Sequence, residues 1–274
     1  MEVYTIKKIL NNNVVIGVKD REEYILVGKA IGYDSQRGDK LFKDRIESIF
    51  IKQDDAKDNF DRILQNINKE IVGLSEEIIS LCEKELDQKL SKAIHVSLPD
   101  HISFAIHRIE TGVKIENPFL NELAALYPKV YALAQKALLM INGRITTKLP
   151  EDEAGFICMH IKAAINKEEV TSALTYTKKV GEIMQLIFKL IKKDVKKNSL
   201  EYIRTITHVD LMLQRVMNKK TIKNYLLDNI KKELYNEYDL ALKIALKIEN
   251  LFSIKIPEDE IGYIALHLRR LSEI

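Results

Sequence analysis

The sequence predicts a multidomain chain: a small antiparallel all-β domain at the N-terminus, then two tandem all-α helical-bundle modules. Three observations predict it. Short β-branched runs broken by turn residues fill the first 55 or so residues, and a 3.6-residue apolar period then runs almost to Ile274. The helical part also repeats itself at a fixed offset. The expected boundaries are 1–57, 58–172 and 173–274.

Tyr4 to Leu10, Val14 to Val18, Tyr24 to Val27 and Arg45 to Phe50 each read as a strand. Asn11-Asn12-Asn13, Asp20-Arg21-Glu22 and Arg37-Gly38-Asp39 supply the connections. A sheet this small is marginal alone and gains stability by pairing. Past Gln53-Asp54-Asp55-Ala56-Lys57 the glycines thin out. Ile63, Ile67, Ile71 and Leu74 then line one helical face, continued past Ser75 by Ile78, Ile79, Cys82 and Leu86.

The repeat is carried by histidines. His101 and His160 return as His208 and His267, both 107 positions on. Pro150-Glu151-Asp152-Glu153-Ala154-Gly155-Phe156-Ile157-Cys158-Met159-His160 returns as Pro257-Glu258-Asp259-Glu260-Ile261-Gly262-Tyr263-Ile264-Ala265-Leu266-His267. Arg108 maps to Arg215, Asn117 to Asn224 and Tyr131 to Tyr238 without a gap. Only 19 of the 67 aligned pairs are identical, so both histidines surviving in both copies is informative. Pro150 and Pro257 suit a first helical position, and the acids after them suit the positive end of the helix dipole. His160 and His267 then fall late on their helices, with Glu153, Phe156 and Ile157 on the His160 face. Ser97-Leu98-Pro99-Asp100 reads as a cap that places His101 near a helix start.

These four imidazoles admit three readings. They could be core residues copied with the module. They could bind metal, but no HExxH or carboxylate–histidine spacing is present, so no metal and no cofactor is expected. They could accept phosphoryl groups, since neutral imidazole is a good acceptor and the product carries roughly −1.5 to −2 charges. His95 and His107 face Tyr202 and Gln214 in the alignment and read as ordinary residues.

Composition narrows the setting. A net charge of +3 leaves no acidic or basic tail, and residues 1–57 hold 11 Lys/Arg against 10 Asp/Glu. Cys82 and Cys158 lack CxxC spacing, which suits a reducing compartment. Neither a signal-peptide layout nor an apolar run of about 20 residues is seen, so a soluble cytoplasmic protein is expected. Asn11, Asn12 and Asn13, with Gly28, Lys29, Ala30, Tyr33 and Arg37, offer amides for base edges, glycines for close approach, cations and a stacking ring. With so little net charge, RNA binding there must rest on a local cluster and on shape.

Together these residues resemble a known family. Ile9-Leu10-Asn11-Asn12-Asn13-Val14-Val15, Gly28-Lys29-Ala30-Ile31-Gly32-Tyr33 and Arg37-Gly38-Asp39 look like the co-antiterminator RNA-binding domain of BglG/SacY-type (LicT-type) transcriptional antiterminators. Asp100-His101-Ile102-Ser103-Phe104-Ala105, the Glu153 to His160 stretch, His208 and the Glu260 to His267 stretch look like that family's two phosphotransferase-system regulation domains. The resemblance spans essentially the whole chain. It implies a non-enzymatic homodimer that binds a leader-RNA hairpin and prevents an overlapping terminator hairpin from forming. It implies RNA contact by the asparagine turn, the Gly28-Lys29 region and Tyr33. Lys29 and Tyr33 replace a more usual arginine and phenylalanine, and Ala30 a common glycine. It also implies phosphorylation of the four histidines, with a sugar-specific enzyme II inhibiting through the first module and HPr activating through the second. The alternatives are a dimeric helical interaction protein with structural histidines and no RNA target, or a histidine phosphotransferase that passes phosphate onward.

Overall fold

The structure, a computed structural model, describes residues 2–51, 66–220 and 222–273. It divides into two compact units, Met1–Pro118 with Lys129–Val170, and Phe119–Pro128 with Thr171–Ile274. The expected junction at residues 57 and 58, and Ile63 beyond it, lie outside the described residues.

The first unit opens on five antiparallel strands: β1 (Val3–Asn11), β2 (Val14–Lys19), β3 (Glu22–Val27), β4 (Lys40–Phe42) and β5 (Ser48–Ile51), in the order β4-β1-β2-β3-β5. Asp20 and Arg21 take positive φ in the β2–β3 connection, the twist a two-residue hairpin requires. Two expectations are corrected here. Lys40–Phe42 is a strand, too short to show alternation in the sequence. The last strand starts at Ser48 and not Arg45, because Lys43–Arg45 forms a 3-10 turn. Side chains alternate across a strand. Val15 therefore joins Tyr4, Ile6, Leu26, Ile31 and Leu41 in one core, while the equally buried Val14 and Ile16 face the other way, toward a helix.

That helix is α1 (Lys69–Leu86), capped by the Asn68 side chain, which accepts from Glu70 N–H. Gly73 explains how closely it seats. A Cβ there would lie 2.6 Å from Nδ2 of Asn11, so the asparagine turn occupies the space a side chain would need. Then follow α2 (Ile94–Glu110), α4 (Pro128–Arg144) and α5 (Asp152–Asn166). His101 is not near a helix start. Residues 94–97 already close a tight first turn on Ser91, Lys92 and Ala93, so Pro99 sits inside α2 and His101 near its middle.

The second unit holds α3 (Leu120–Leu126), α6 (Val170–Leu190, from Thr171 on), α7 (Leu200–Met217), α8 (Leu227–Glu233), α9 (Tyr235–Phe252) and α10 (Glu258–Glu273). Val180, Ile183, Ile206, Leu213, Ile244 and Ile248 anchor its core. The duplication is visible helix by helix, since Leu120–Leu126 returns 107 positions on as Leu227–Glu233. The turn before each terminal helix repeats too. Asp152 accepts from the Asn117 N–H at 2.6 Å and Asp259 from the Asn224 N–H at 2.9 Å.

Candidate RNA surface and histidine pairs

The sheet gathers most of the RNA-binding candidates at one end. Asn11 closes β1 and its Oδ1 accepts from Asn13 N–H at 2.8 Å, fixing the turn as an Asx-type bend. Asn13 Oδ1 then accepts from Ala30 N–H at 2.9 Å, and Gly28 and Gly32 donate to the Asn13 and Asn12 carbonyls. A Cβ on Gly28 would meet the Arg45 carbonyl oxygen at 2.3 Å, so only glycine fits where the two loops cross. Ala30 holds φ 56°, a left-handed conformation about 1 kcal/mol harder for alanine than for glycine. Asn12, Lys29 and Tyr33 are exposed around this knot. Arg37 stands apart, on a loop tied to Ile6 in mid-β1.

The asparagine amides do not face solvent freely. Glu77 of α1 accepts from Asn11 Nδ2 at 2.7 Å through Oε1 and from Asn13 Nδ2 at 3.0 Å through Oε2. Arg144 of α4 reaches the same carboxylate at 3.3–3.4 Å. Asn13, Gly28, Lys29, Glu77, Ser80 and Lys84 border an open cleft of ≈ 330 Å³. Nearby, Ser48 and Ser80 pair at 2.6 Å, and Phe50 meets the His95 ring edge-on. His95 is buried, with Nδ1 2.7 Å from Glu76. Burial pulls its pKa down, but the Glu76 charge and hydrogen bond outweigh that and hold it raised. Its equivalent in the second module, Tyr202, instead donates its hydroxyl to the buried Glu122 carboxylate at 2.8 Å.

The structure brings the four duplicated histidines together two by two. His101 on α2 and His160 on α5 have ring centroids 4.7 Å apart, and His208 on α7 and His267 on α10 are 4.9 Å apart. Residues 59 apart in sequence meet because α2 packs on α5, as α7 does on α10. In the first pair Glu153 Oε2 lies 2.7 Å from His101 Nε2, Glu153 Oε1 accepts from Arg108 Nη2 at 3.0 Å, and His160 Nδ1 is 3.3 Å from Ser97 Oγ. In the second, Glu260 takes Arg215 Nε at 3.0 Å and Nη2 at 2.8 Å, and His267 Nε2 is 3.1 Å from Thr205 Oγ1. A pocket of ≈ 70 Å³ opens onto His208, Arg215, Glu260, Tyr263 and His267. Sequence reasoning marked the arginines as repeated without a role, and read the glutamates as helix-dipole acids, with Glu153 on the His160 face, without pairing them to the arginines. Their survival in both copies was the available signal.

Burial, then the neighbouring imidazole, pushes His160 down to about 3 and His267 down to about 4. Both are therefore neutral in the fold near pH 7. In the unfolded chain they protonate near 6.5, so unfolding takes up protons below that pH. Stability is then full above about pH 6.5 and falls as pH drops toward 4, at up to about 1.4 kcal/mol per unit per residue. His95 works the opposite way, its contribution present in acid and lost as pH rises through its raised pKa. Replacing His160 by glutamine is expected to remove about one proton of uptake near pH 5, read from denaturant midpoints at pH 7, 6 and 5. An unchanged slope would refute a neutral His160.

Comparison with known proteins decides the family. The family model described as "CAT RNA binding domain" matches residues 4–59, and the "PRD domain" model matches twice, at 76–164 and 181–271. Transcription antiterminator LicT of Bacillus subtilis (strain 168) is 35% identical across 97% of this chain and 98% of its own length. The chain belongs to the CAT–PRD family of transcription antiterminators. Another relative in this family, the beta-glucoside operon antiterminator of Dickeya chrysanthemi, is 30% identical across 97% of this chain and 96% of its own length. A crystal structure of GlcT CAT-PRDI superposes with a TM-score of 0.50 at 36% identity, covering 60% of this chain and 98% of that one. As a family member the chain carries an RNA-binding domain ahead of two regulatory modules, in the order the sequence predicted. Among the described residues no helix is long and apolar enough to cross a membrane, and no histidine, cysteine and carboxylate cluster could hold a metal.

Proposed function

We propose that this antiterminator binds a hairpin in nascent leader RNA as a homodimer, keeps an overlapping terminator hairpin from forming, and is switched by phosphorylation of His101, His160, His208 and His267. The observation that carries the reading is the join between Asn11, Asn13 and Glu77. It ties the amides that would read RNA to the helix that opens the first histidine module. A carboxylate in that position competes with a base edge and repels phosphate, so the first module restrains the RNA surface until it moves.

The phosphoryl donors are proteins of the sugar phosphotransferase system. A sugar-specific enzyme II acts on the first pair and inhibits; HPr acts on the second and activates. The pairs suit this use, because each rests on a helix–helix seam where added charge must alter packing. Moving a population from mostly off to mostly on takes about 5.5 kcal/mol, more than one solvated charge supplies, and His160 and His267 are desolvated enough to supply more. The chain acts by binding in the cytoplasm, where nascent RNA is made, and not by catalysis.

The test is binding of the full chain, at physiological salt, to a panel of imperfect RNA hairpins with symmetric internal loops. Asn12 is the cleanest probe, being exposed with no side-chain hydrogen bond among the described residues. Asn12→Ala is expected to weaken a bound hairpin by about tenfold, since a good base contact carries about 1–3 kcal/mol. If neither the native chain nor its Glu77→Ala variant binds any hairpin, the RNA reading is wrong.

A further inference from the structure

The two histidine pairs carry the same four side chains and wire them differently. Glu153 divides its carboxylate, Oε2 toward His101 Nε2 and Oε1 toward Arg108 Nη2, and leaves the buried Nε of Arg108 without a partner. Glu260 gives both oxygens to Arg215, and His208 makes no hydrogen bond among the described residues. His160 and His267 face hydroxyls, which can donate or accept. Of the duplicated histidines, His101 alone faces a group that, as a carboxylate, can only accept.

We propose that Glu153 selects Nδ1 of His101 as the phosphoryl-accepting nitrogen of the first module, and that Arg108 is the cation that receives the phosphoryl oxygens. The inference rests on the phosphohistidine reading above and adds the atom to it. A neutral imidazole carries one N–H and one lone pair. Because the Glu153 carboxylate needs a donor, the proton sits on Nε2 and the lone pair on Nδ1. In the transfer, that lone pair attacks the phosphorus of a donor phosphohistidine. The new N–P bond forms as the donor's N–P bond breaks, and the electron pair stays on the donor imidazole, which then takes a proton from water. The His101 ring, now substituted at Nδ1 and still protonated at Nε2, gains positive charge beside the Glu153 carboxylate, and their hydrogen bond becomes charge-assisted. Glu153 thus acts as a positioning residue.

Arg108 stands seven residues beyond His101 on α2, two turns along one face, and shares the Glu153 carboxylate with it. A phosphoryl group of roughly −1.5 to −2 charges draws the guanidinium from a single carboxylate oxygen and gives the orphaned Nε a partner. That Arg215 engages its acid through both Nε and Nη2 shows the side chain reaching a two-point hold at the same place in the repeat.

The experiment phosphorylates the full chain, labelled with ¹⁵N-histidine, using potassium phosphoramidate and, separately, phospho-HPr and enzyme II from a permeabilised-cell extract. Ring ¹⁵N and ³¹P NMR distinguishes attachment at Nδ1 from attachment at Nε2, and loss of a signal in His101→Gln assigns it. The expected result is Nδ1 attachment at His101, scrambled to a mixture in Glu153→Ala and restored in Glu153→Gln, whose amide oxygen still accepts from Nε2. Arg108→Ala is expected to keep the isomer and lower the yield about fivefold, as loss of one charge-assisted contact would. Nε2 attachment at His101, an unchanged isomer ratio in Glu153→Ala, or phosphate on other histidines with none on His101 would each overturn the proposal. Phosphate on none of the four would instead sink the phosphoregulation reading itself.

Discussion

Replacing Glu77 by alanine is expected to raise the RNA affinity of the unphosphorylated full chain by about tenfold or more. Two charge-assisted bonds hold Asn11 and Asn13, at 2.7 and 3.0 Å, and each such bond is worth about 1.5–3 kcal/mol. RNA must break both before those amides can reach a base, and must approach a carboxylate with its own phosphates. The gain is smaller than the full bond energy, because alanine leaves the buried Asn11 amide without an acceptor until RNA supplies one. Glu77→Gln should fall between, keeping one acceptor and losing the charge. Arg144→Ala offers an independent arm, since its guanidinium steadies the carboxylate from α4. Binding isotherms on one hairpin rank the variants, and circular dichroism confirms that the fold persists. A Glu77→Ala chain that binds no more tightly than the native one would mean that the clamp does not restrain recognition. In cells the same variant should read through a terminator without the inducing sugar.

Much of this arrangement was legible before the structure. The three-asparagine turn was legible as a turn with amides to offer, and the glycines of Gly28 to Gly32 as a place of close backbone approach, but not that the two meet in one knot. The repeat forced the histidines into equivalent places, and helical periodicity put Glu153 on the His160 face. What could not be read depends on distance across the fold. Nothing in the local pattern of residues 69–86 says that Glu77 meets Asn11, and an interior glycine at 73 reads only as a weak point until the asparagine beside it is seen. Pro99 misled for a physical reason. A proline after Ser97 resembles a helix start, yet the tight turn closed upstream on Ala93 tolerates it within the helix. The wiring of His101 against that of His208 was hidden too, since identical residues at identical offsets hold their hydrogen bonds differently.

The least legible element is α3, which lies in the first repeat by sequence and belongs to the second unit by contact. Its duplicate α8 packs on α9 and α10, whereas α3 packs on α7. Glu122 secures it: Oε1 accepts from the Tyr202 hydroxyl and from Lys197, both at 2.8 Å, with the side chain 2% exposed. Burial and this acceptor raise the Tyr202 hydroxyl's pKa, so it stays protonated and donating. Glu122→Ala is expected to destabilise the second unit by about 1–3 kcal/mol, since it strands a buried hydroxyl and breaks an ion pair whose lysine is half-exposed and screened by solvent. The loss is moderated because the carboxylate's desolvation cost, and its unpartnered Oε2, disappear with it. Urea unfolding should then separate into two steps, with amide exchange accelerating in α7 before α2. If the pair is what matters, adding Tyr202→Phe to Glu122→Ala should restore part of the stability, because no buried donor is left unsatisfied and the half-exposed Lys197 turns to water. If instead the double variant loses the sum of the two single losses, Glu122 and Tyr202 contribute independently and the hydrogen bond between them does not hold α3. His208 shares α7 with Tyr202, so only the first outcome would let a side chain from the first repeat set the rigidity of the second histidine pair.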